Sequence, residues 1–253
     1  MAADADRAGH QQGTGPRRSG VDFSFLSDPR YNVIGAFWMT VQLTFWSAIG
    51  AFILGVILAA MRVCPVPLMR GFAGGVVNIV RNIPLTLIII MMSQVIANQL
   101  GLKLAVREAG VNPQGYLDTQ NFRLAVLGFI IYTSTFVCEA IRSGINTVPP
   151  GQAEAARAIG LTFTQVLGIV VLPQAIRAVV APLGSVLIAL TKNTTVASAI
   201  GVSEAALLMN TLIENEADKF TAVFIVIAAG FIVLTLPTGL IFGSLAKRAS
   251  VKR

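Results

Sequence analysis

Five long stretches without a charged side chain constrain this chain more than any other feature of its sequence. They contain no Asp, Glu, Lys or Arg, and they run over residues 32–61, 82–102, 124–138, 178–191 and 220–246. A helix needs about 20 mainly apolar residues to cross the hydrocarbon core of a bilayer. The first, second and fifth stretches reach that length unaided. The third stretch can extend through Glu139 to Ile141, and the fourth can extend past Lys192 to Ser203. The sequence therefore predicts an all-α polytopic membrane protein with five transmembrane helices.

The distribution of charge between the loops predicts how these spans are oriented. Cytoplasmic loops collect Lys and Arg. With the N terminus outside, ten basic residues and only Glu154 lie inside, whereas eight basic residues face nine acidic residues outside. The predicted orientation is therefore N-out and C-in. The same bias accounts for the formal net charge of +7 without a nucleic-acid partner.

The polar ends of the chain predict a simple domain organisation. Residues 1–30 scatter Gly, Arg and Asp without the apolar core of a signal peptide, and we interpret them as a disordered extracytoplasmic tail. Residues 31–246 are the predicted transmembrane domain, and residues 247–253 are a basic cytoplasmic tail. Pro84 predicts a bend within the second span, because proline removes a backbone donor.

A polar but patterned segment over about residues 144–174 interrupts the apolar stretches. Pro150 favours the start of a short helix and Gly160 favours its end, and most residues between them are small. A second helix is expected to begin at Thr162 and to end at Pro173, because Thr and Gln three residues apart form a capping box. Small side chains let another protein come close, so we interpret the segment as a docking loop. A helix on the membrane surface would carry larger apolar residues.

Lys192 is the charged side chain that the fourth span must house. A charge at mid-membrane costs at least about 2.5–3.5 kcal/mol, so such a side chain normally faces a cavity or a partner; the alternative is that Lys192 reaches water at the outer surface. Amide and hydroxyl side chains follow it, at Asn193, Thr194, Thr195 and Ser198. We therefore predict that Lys192 is the counter-charge for an anionic solute. Arg81 is a second candidate for this role, with an ordinary positive-inside residue as the more common explanation.

Several classes of function lack the residues that they require. The chain has no Gly-x-x-x-x-Gly-Lys-Ser/Thr stretch that could hold a nucleotide, and its single histidine is His10 in the tail. We find no convergent acid, base, nucleophile or metal set, so no catalytic and no metal-binding residues are predicted. A stand-alone secondary transporter or channel stays open, although five spans lack the paired inverted halves common in such proteins.

Three motifs resemble those of bacterial ABC-importer permeases. Glu154-Ala155-Ala156, followed by Gly160 and Leu172-Pro173, resembles their EAA loop. Arg81-Asn82-Ile83-Pro84-Leu85 is similar to the Arg-Gly-Thr-Pro-Leu of the polar amino acid permeases, and Lys192-Asn193-Thr194-Thr195 to their Lys-Asp-Thr-Ser. Across residues 121–143 and 187–204 the chain most resembles the permeases of actinobacterial glutamate importers.

The resemblance implies a type I ABC-importer permease fold in the bacterial cell membrane, and an amino acid as cargo. It implies three partners: a cytoplasmic ABC ATPase dimer that binds the ATP and Mg²⁺, a second homologous permease (heterodimer or homodimer), and an extracytoplasmic amino-acid-binding protein. This chain itself would bind no cofactor. Glu154, Ala155, Ala156 and Gly160 would contact the ATPase. The substrate path would be lined by Arg81, Lys192, Asn193, Thr194, Thr195 and Ser198.

Asn193 departs from this pattern, because many relatives carry Asp after the lysine. Loss of that carboxylate disfavours a cationic cargo and leaves the region net positive, which agrees with glutamate. Glutamine or another polar amino acid is the alternative cargo.

Overall fold

Helices make up all of the regular structure in the described part of the chain. The computed structural model describes residues 21–105 and 113–249. The α-helices are α1 (Val33–Val63), α2 (Pro67–Asn82), α3 (Leu85–Met91), α4 (Pro113–Ile145), α5 (Pro150–Ala158), α6 (Phe163–Gln165), α7 (Leu172–Asn193), α8 (Ala205–Asn215) and α9 (Phe220–Ala249). Short π segments lie at Met92–Gln99 and Val166–Val171, and 3-10 segments lie at Ser24–Ser27, Thr194–Ile200 and Ala217–Lys219. The all-α prediction is confirmed.

Four helices within the described ranges are long and apolar enough to cross a membrane. They cover Val33–Val63, Gly115–Ile145, Phe163–Ile200 and Ala217–Arg248. A fifth candidate span is the pair Pro67–Asn82 and Leu85–Gln99, whose axes meet at 99°. The break falls at Ile83 and Pro84, where the residue before the proline is extended (φ −88°, ψ 129°) because the proline ring disfavours helical backbone there. The bend predicted at Pro84 is therefore confirmed, and it is sharp.

Helix α4 is the centre of the bundle and packs against both α1 and α7. The largest buried cluster joins side chains of these helices, among them Leu43 of α1, Phe129 of α4 and Leu190 of α7. Gly55 lets α1 approach α4 closely, since a Cβ there would lie 2.6 Å from Val137. Such close approach through small residues is typical of helix packing in membranes.

Part of each polar tail that the sequence predicts has regular structure. Residues 21–30 were expected to be disordered, but they contain the 3-10 segment Ser24–Ser27 and place Phe25 in a buried cluster with Leu212 and Val223. Burial of Phe25 and ion pairs of Arg30 with Glu216 and of Asp22 with Lys219 hold this stretch against the bundle, which its polar composition does not indicate. The expected basic tail begins as the last turn of α9, and residues 1–20 and 250–253 lie outside the described residues.

The second helix of the docking loop does not end at Pro173, so that prediction is wrong. Its start is as expected, with the Thr162 amide donating to Gln165 Oε1 over 2.9 Å. The helix then continues through the π segment Val166–Val171 into α7 without a break. A proline clashes with the carbonyl four residues before it, and the wider π turn ahead of Pro173 provides a local change of hydrogen-bond register. Docking loop and fourth span therefore share one continuous helix.

Candidate substrate groove and docking loop

A groove of about 340 Å³ lies between α4 and α7. Its lining combines hydroxyl, amide and aromatic groups with small apolar side chains. The lining residues are Tyr132, Thr133 and Phe136 from α4, and Ser185, Val186, Ala189, Leu190 and Asn193 from α7. Polar groups inside a membrane bundle normally mark a pathway or a contact with another chain. The groove is therefore the candidate substrate site within this chain.

Lys192 is next to Asn193 on the helix that lines this groove, but it is not itself one of the lining residues. It follows Ala189 by three residues and Ser185 by seven, and residues at this spacing share one face of a helix. Ala189 and Ser185 line the groove, and all three residues are exposed. Within the described residues no ion pair involves Lys192, so its ammonium group is not neutralised there by a carboxylate. Its neighbour Asn193 lines the groove itself.

The three hydroxyl groups that follow Asn193 donate to carbonyl oxygens of their own segment. Thr194 Oγ1 donates to the Thr191 carbonyl over 2.7 Å, Thr195 Oγ1 to the Lys192 carbonyl over 2.8 Å, and Ser198 Oγ to the Thr195 carbonyl over 2.7 Å. Thr194 is also fully buried. Of the residues predicted for the substrate path in this segment, Asn193 lines the groove, whereas Lys192, Thr194, Thr195 and Ser198 are not among its lining residues.

Arg81 contacts the lining of the groove at Phe136. It is the last basic residue of α2, next to the break. The Cζ of Arg81 is 5.3 Å from the centre of the Phe136 ring, and Phe136 lines the groove. A guanidinium over an aromatic face makes a favourable cation–π contact.

Glu139 is close to basic side chains from three helices, and Arg81 is one of them. The predicted pair with Arg142 is confirmed, with Arg142 Nη2 and Nε donating to Glu139 Oε2 over 2.9 and 3.1 Å. Arg62, at the end of α1, donates to Glu139 Oε1. Arg81 Nη1 is 3.8 Å from the same oxygen. Sequence reasoning found only Arg142, because the other two partners are distant along the chain and no local spacing indicates them.

The docking helix α5 presents part of its predicted contact set to solvent. Glu154, Ala155 and Gly160 are exposed, but Ala156 is buried against a cluster that includes Val148 and Val166. Ala156 therefore packs inside the loop, whereas the first two of these residues and Gly160 are available to a partner. Ile159 is 80% exposed and was not predicted. A large apolar residue directly before the glycine that ends a helix is the sequence signal that could have indicated it.

Helix α5 is attached to α7 by packing and by a side-chain hydrogen bond. Gln174 Nε2, in the first turn of α7, donates to Gln152 Oε1 of α5 over 2.7 Å. The cluster around Val148 and Val166 also includes Val171, from the π segment that leads into α7. Because α7 ends at Asn193, one helix connects the docking loop with the groove.

Glu204 has a structural role in the described structure. Its side chain is fully buried and its two carboxylate oxygens accept from the amides of Ala206 and Leu207 over 2.8 and 3.0 Å. These are the free amides at the start of α8, so Glu204 is the N-cap of that helix. The Ala205 amide donates to Thr40 Oγ1 of α1 over 3.3 Å, which ties the same turn to α1.

Comparisons with known proteins agree on one family. Residues 51–251 match the family described as "Binding-protein-dependent transport system inner membrane component". The chain is 54% identical over 222 residues to the glutamate transport system permease protein GluC of Corynebacterium efficiens, covering 88% of this chain and 96% of that protein. It is 32% identical over 230 residues to the probable glutamine ABC transporter permease protein GlnM of Bacillus subtilis, covering 90% and 98%. A crystal structure of an amino acid ABC transporter with histidines superposes with a TM-score of 0.75 at 26% identity, covering 90% of this chain and 99% of that one.

Proposed function

The chain belongs to the family of binding-protein-dependent transport system inner membrane components, and from this premise we propose that it is the permease subunit through which a glutamate importer passes its cargo. The identity of 54% with a glutamate permease, against 32% with a probable glutamine permease, favours glutamate over glutamine. A stand-alone transporter would leave the exposed docking helix α5 without a partner.

Two cations next to the lining of one groove carry this proposal: Lys192 directly precedes the lining residue Asn193, and Arg81 lies over the ring of the lining residue Phe136. Glutamate has two carboxylates and one ammonium group, whereas glutamine has a single carboxylate. In this proposal Lys192 and Arg81 offer one counter-charge to each carboxylate, and the amide oxygen of Asn193 accepts from the ammonium. Two cations beside one groove therefore discriminate in favour of an acidic amino acid, because an amide would leave one of them unpaired.

The docking loop supports an ATPase as the source of energy. Glu154 and Ala155 are exposed on α5, as is Ile159 directly after it, and α5 is hydrogen-bonded to the helix that ends at the groove. In the proposed cycle the ATPase dimer carries the ATP and Mg²⁺ and moves α5 when it closes. The movement reaches Lys192 and Asn193 through α7, which alternates access to the groove. An extracytoplasmic binding protein delivers the glutamate, and a second permease, identical or homologous, completes the membrane unit.

Uptake in a strain from which this chain has been deleted tests the proposal. Restoring the chain is expected to restore ATP-dependent uptake of radiolabelled glutamate, with stronger competition by unlabelled aspartate than by glutamine or arginine. Restored uptake of glutamine in preference to glutamate would overturn the assignment of the cargo. Transport by the purified chain alone, in liposomes without ATP, would overturn the assignment as an importer subunit.

A further inference from the structure

One carboxylate in the bundle is shared by three guanidinium groups. Glu139 of α4 lies among Arg62 from the end of α1, Arg81 from the end of α2, and Arg142 from α4 itself. No other acidic residue is within ion-pair distance of these arginines in the described part of the chain. The cluster therefore has two more positive charges than negative ones. Glu139 and Arg62 are mostly shielded from solvent, with side chains 19% and 17% exposed, whereas the side chains of Arg81 and Arg142 are 41% exposed.

The three arginines hold Glu139 unequally. Arg142 donates twice to one carboxylate oxygen, and Arg62 donates to the other. Arg81 is 3.8 Å from the oxygen that Arg62 uses, which is too far for a hydrogen bond. The Arg81 side chain is also more exposed than that of Arg62, at 41% against 17%. Arg81 can therefore leave the cluster while Glu139 keeps its closer partners.

Arg81 is the member of this cluster that also contacts a residue lining the groove. Its guanidinium lies over the ring of Phe136, and Phe136 lines the groove. Glu139 follows Phe136 by three residues, so both side chains are on the same face of α4. A carboxylate that moves along the groove past Phe136 therefore comes to the guanidinium that Glu139 shares least closely.

We infer that Glu139 substitutes for a carboxylate of the cargo while the groove is empty, and that an arriving glutamate takes Arg81 from it. This rests on the function proposed above. The surplus of positive charge lets a second carboxylate enter without leaving either one unpaired, because Arg62 and Arg142 keep Glu139 neutralised. Exchange also prevents the cargo from being held too strongly: an arginine without an internal partner would bind glutamate tightly and release it slowly.

Substitutions of the two partners are expected to shift the KM for glutamate in opposite directions. Arg81→Gln removes the counter-charge, and the KM rises about tenfold or more, the loss expected for a charge-assisted hydrogen bond. Glu139→Gln removes the competitor, so the KM falls several-fold and the maximal rate falls with it. Both are measured with the chain in its complete transporter, reconstituted in proteoliposomes, with abundance determined in parallel. Arg70→Gln is the matched control, since Arg70 is also an exposed arginine of α2 but is outside the cluster, and it is expected to leave the KM unchanged.

A purely structural role for the cluster gives a different result. If Glu139 only ties α1, α2 and α4 together, both variants lower the abundance or the thermal stability and neither changes the KM, and the inference is overturned. A shift of the KM in the same direction in both variants overturns it as well. If Glu139→Gln does not accumulate in the membrane, Arg81→Gln decides by itself, because an unchanged glutamate KM removes Arg81 from the path. Failure of the unsubstituted transporter to take up glutamate is a separate result that refutes the proposed function.

Discussion

Gly160 allows a test in which a single backbone angle decides the outcome. It follows α5 with φ +92°. Its amide donates to the Arg157 carbonyl over 2.9 Å, and the next amide, of Leu161, donates to the Ala156 carbonyl over 3.2 Å. This pair of hydrogen bonds is the Schellman arrangement, which needs a left-handed residue after the helix. A Cβ added at Gly160 would meet no atom within 4 Å, so Gly160→Ala introduces backbone strain without a steric clash.

The strain has a definite size. An L residue in left-handed conformation costs roughly 1–2 kcal/mol relative to right-handed backbone. One or two kcal/mol changes a conformational ratio by about 5–30-fold. The turn at Gly160 holds Leu161, which is packed against the buried cluster around Ala156. Opening the turn therefore frees the end of the docking helix. We expect the ratio of intact to opened docking loops to fall by this factor, and the fraction of intact loops falls by the same factor when that fraction is small.

Copurification measures this loss, with Gly151→Ala as the matched control. Gly151 is also in the docking helix, and a Cβ there would also meet no atom within 4 Å, but its φ is not positive. Alanine at that position is expected to favour the helix by up to about 1 kcal/mol. Gly160→Ala should therefore reduce ATPase bound per permease, and ATP-dependent glutamate uptake, while Gly151→Ala reduces neither. Equal behaviour of the two variants would refute the argument that the left-handed turn orients the docking helix.

Three further substitutions test other parts of the structure. Lys192→Gln should raise the KM for glutamate about tenfold through loss of a charge-assisted hydrogen bond, and Lys103→Gln, which removes an exposed loop charge, should not; equal uptake by both at equal abundance contradicts the role of Lys192. Glu204→Ala should destabilise the detergent-solubilised protein by about 1–2 kcal/mol, the usual loss of an N-cap, and Glu204→Gln by less, as followed by thermal unfolding. Ile159→Asp should lower ATPase retention without lowering membrane abundance, because the side chain is 80% exposed; normal retention would show that the ATPase does not contact it.

Features that depend on neighbouring residues were predictable from the sequence. Uncharged length indicated the spans, Pro84 indicated the break, and Gly160 indicated the end of the docking helix. Each of these depends on chemistry within a few residues: hydrophobic length, a missing amide, or a missing Cβ. The pair of Glu139 and Arg142 was found for the same reason, since a spacing of three residues places both side chains on one helix face.

Local rules failed where packing between distant segments decides the conformation. Pro173 predicts a helix end, but the structure continues through it by changing the hydrogen-bond register ahead of it. Phe25 belongs to a stretch of polar composition, and only the cluster with Leu212 and Val223 shows that it is anchored. In the case of Phe25, the partners lie on other elements and no local spacing indicates them.

The candidate site also combines a feature that the local sequence indicates with one that only the fold shows. Charge in the sequence alone therefore could not locate the site. Lys192 was prominent in the sequence because it interrupts an apolar stretch, whereas Arg81 resembled an ordinary positive-inside residue. The fold reverses that emphasis by bringing Arg81 to Phe136 and Glu139, two residues more than 50 positions away. A cation that already has an internal carboxylate is a better device for passing an anion than an unpaired one. It is oriented before the cargo arrives, and the arriving carboxylate changes the local charge by a single unit. Transport requires release as much as binding, and a shared arginine supplies both.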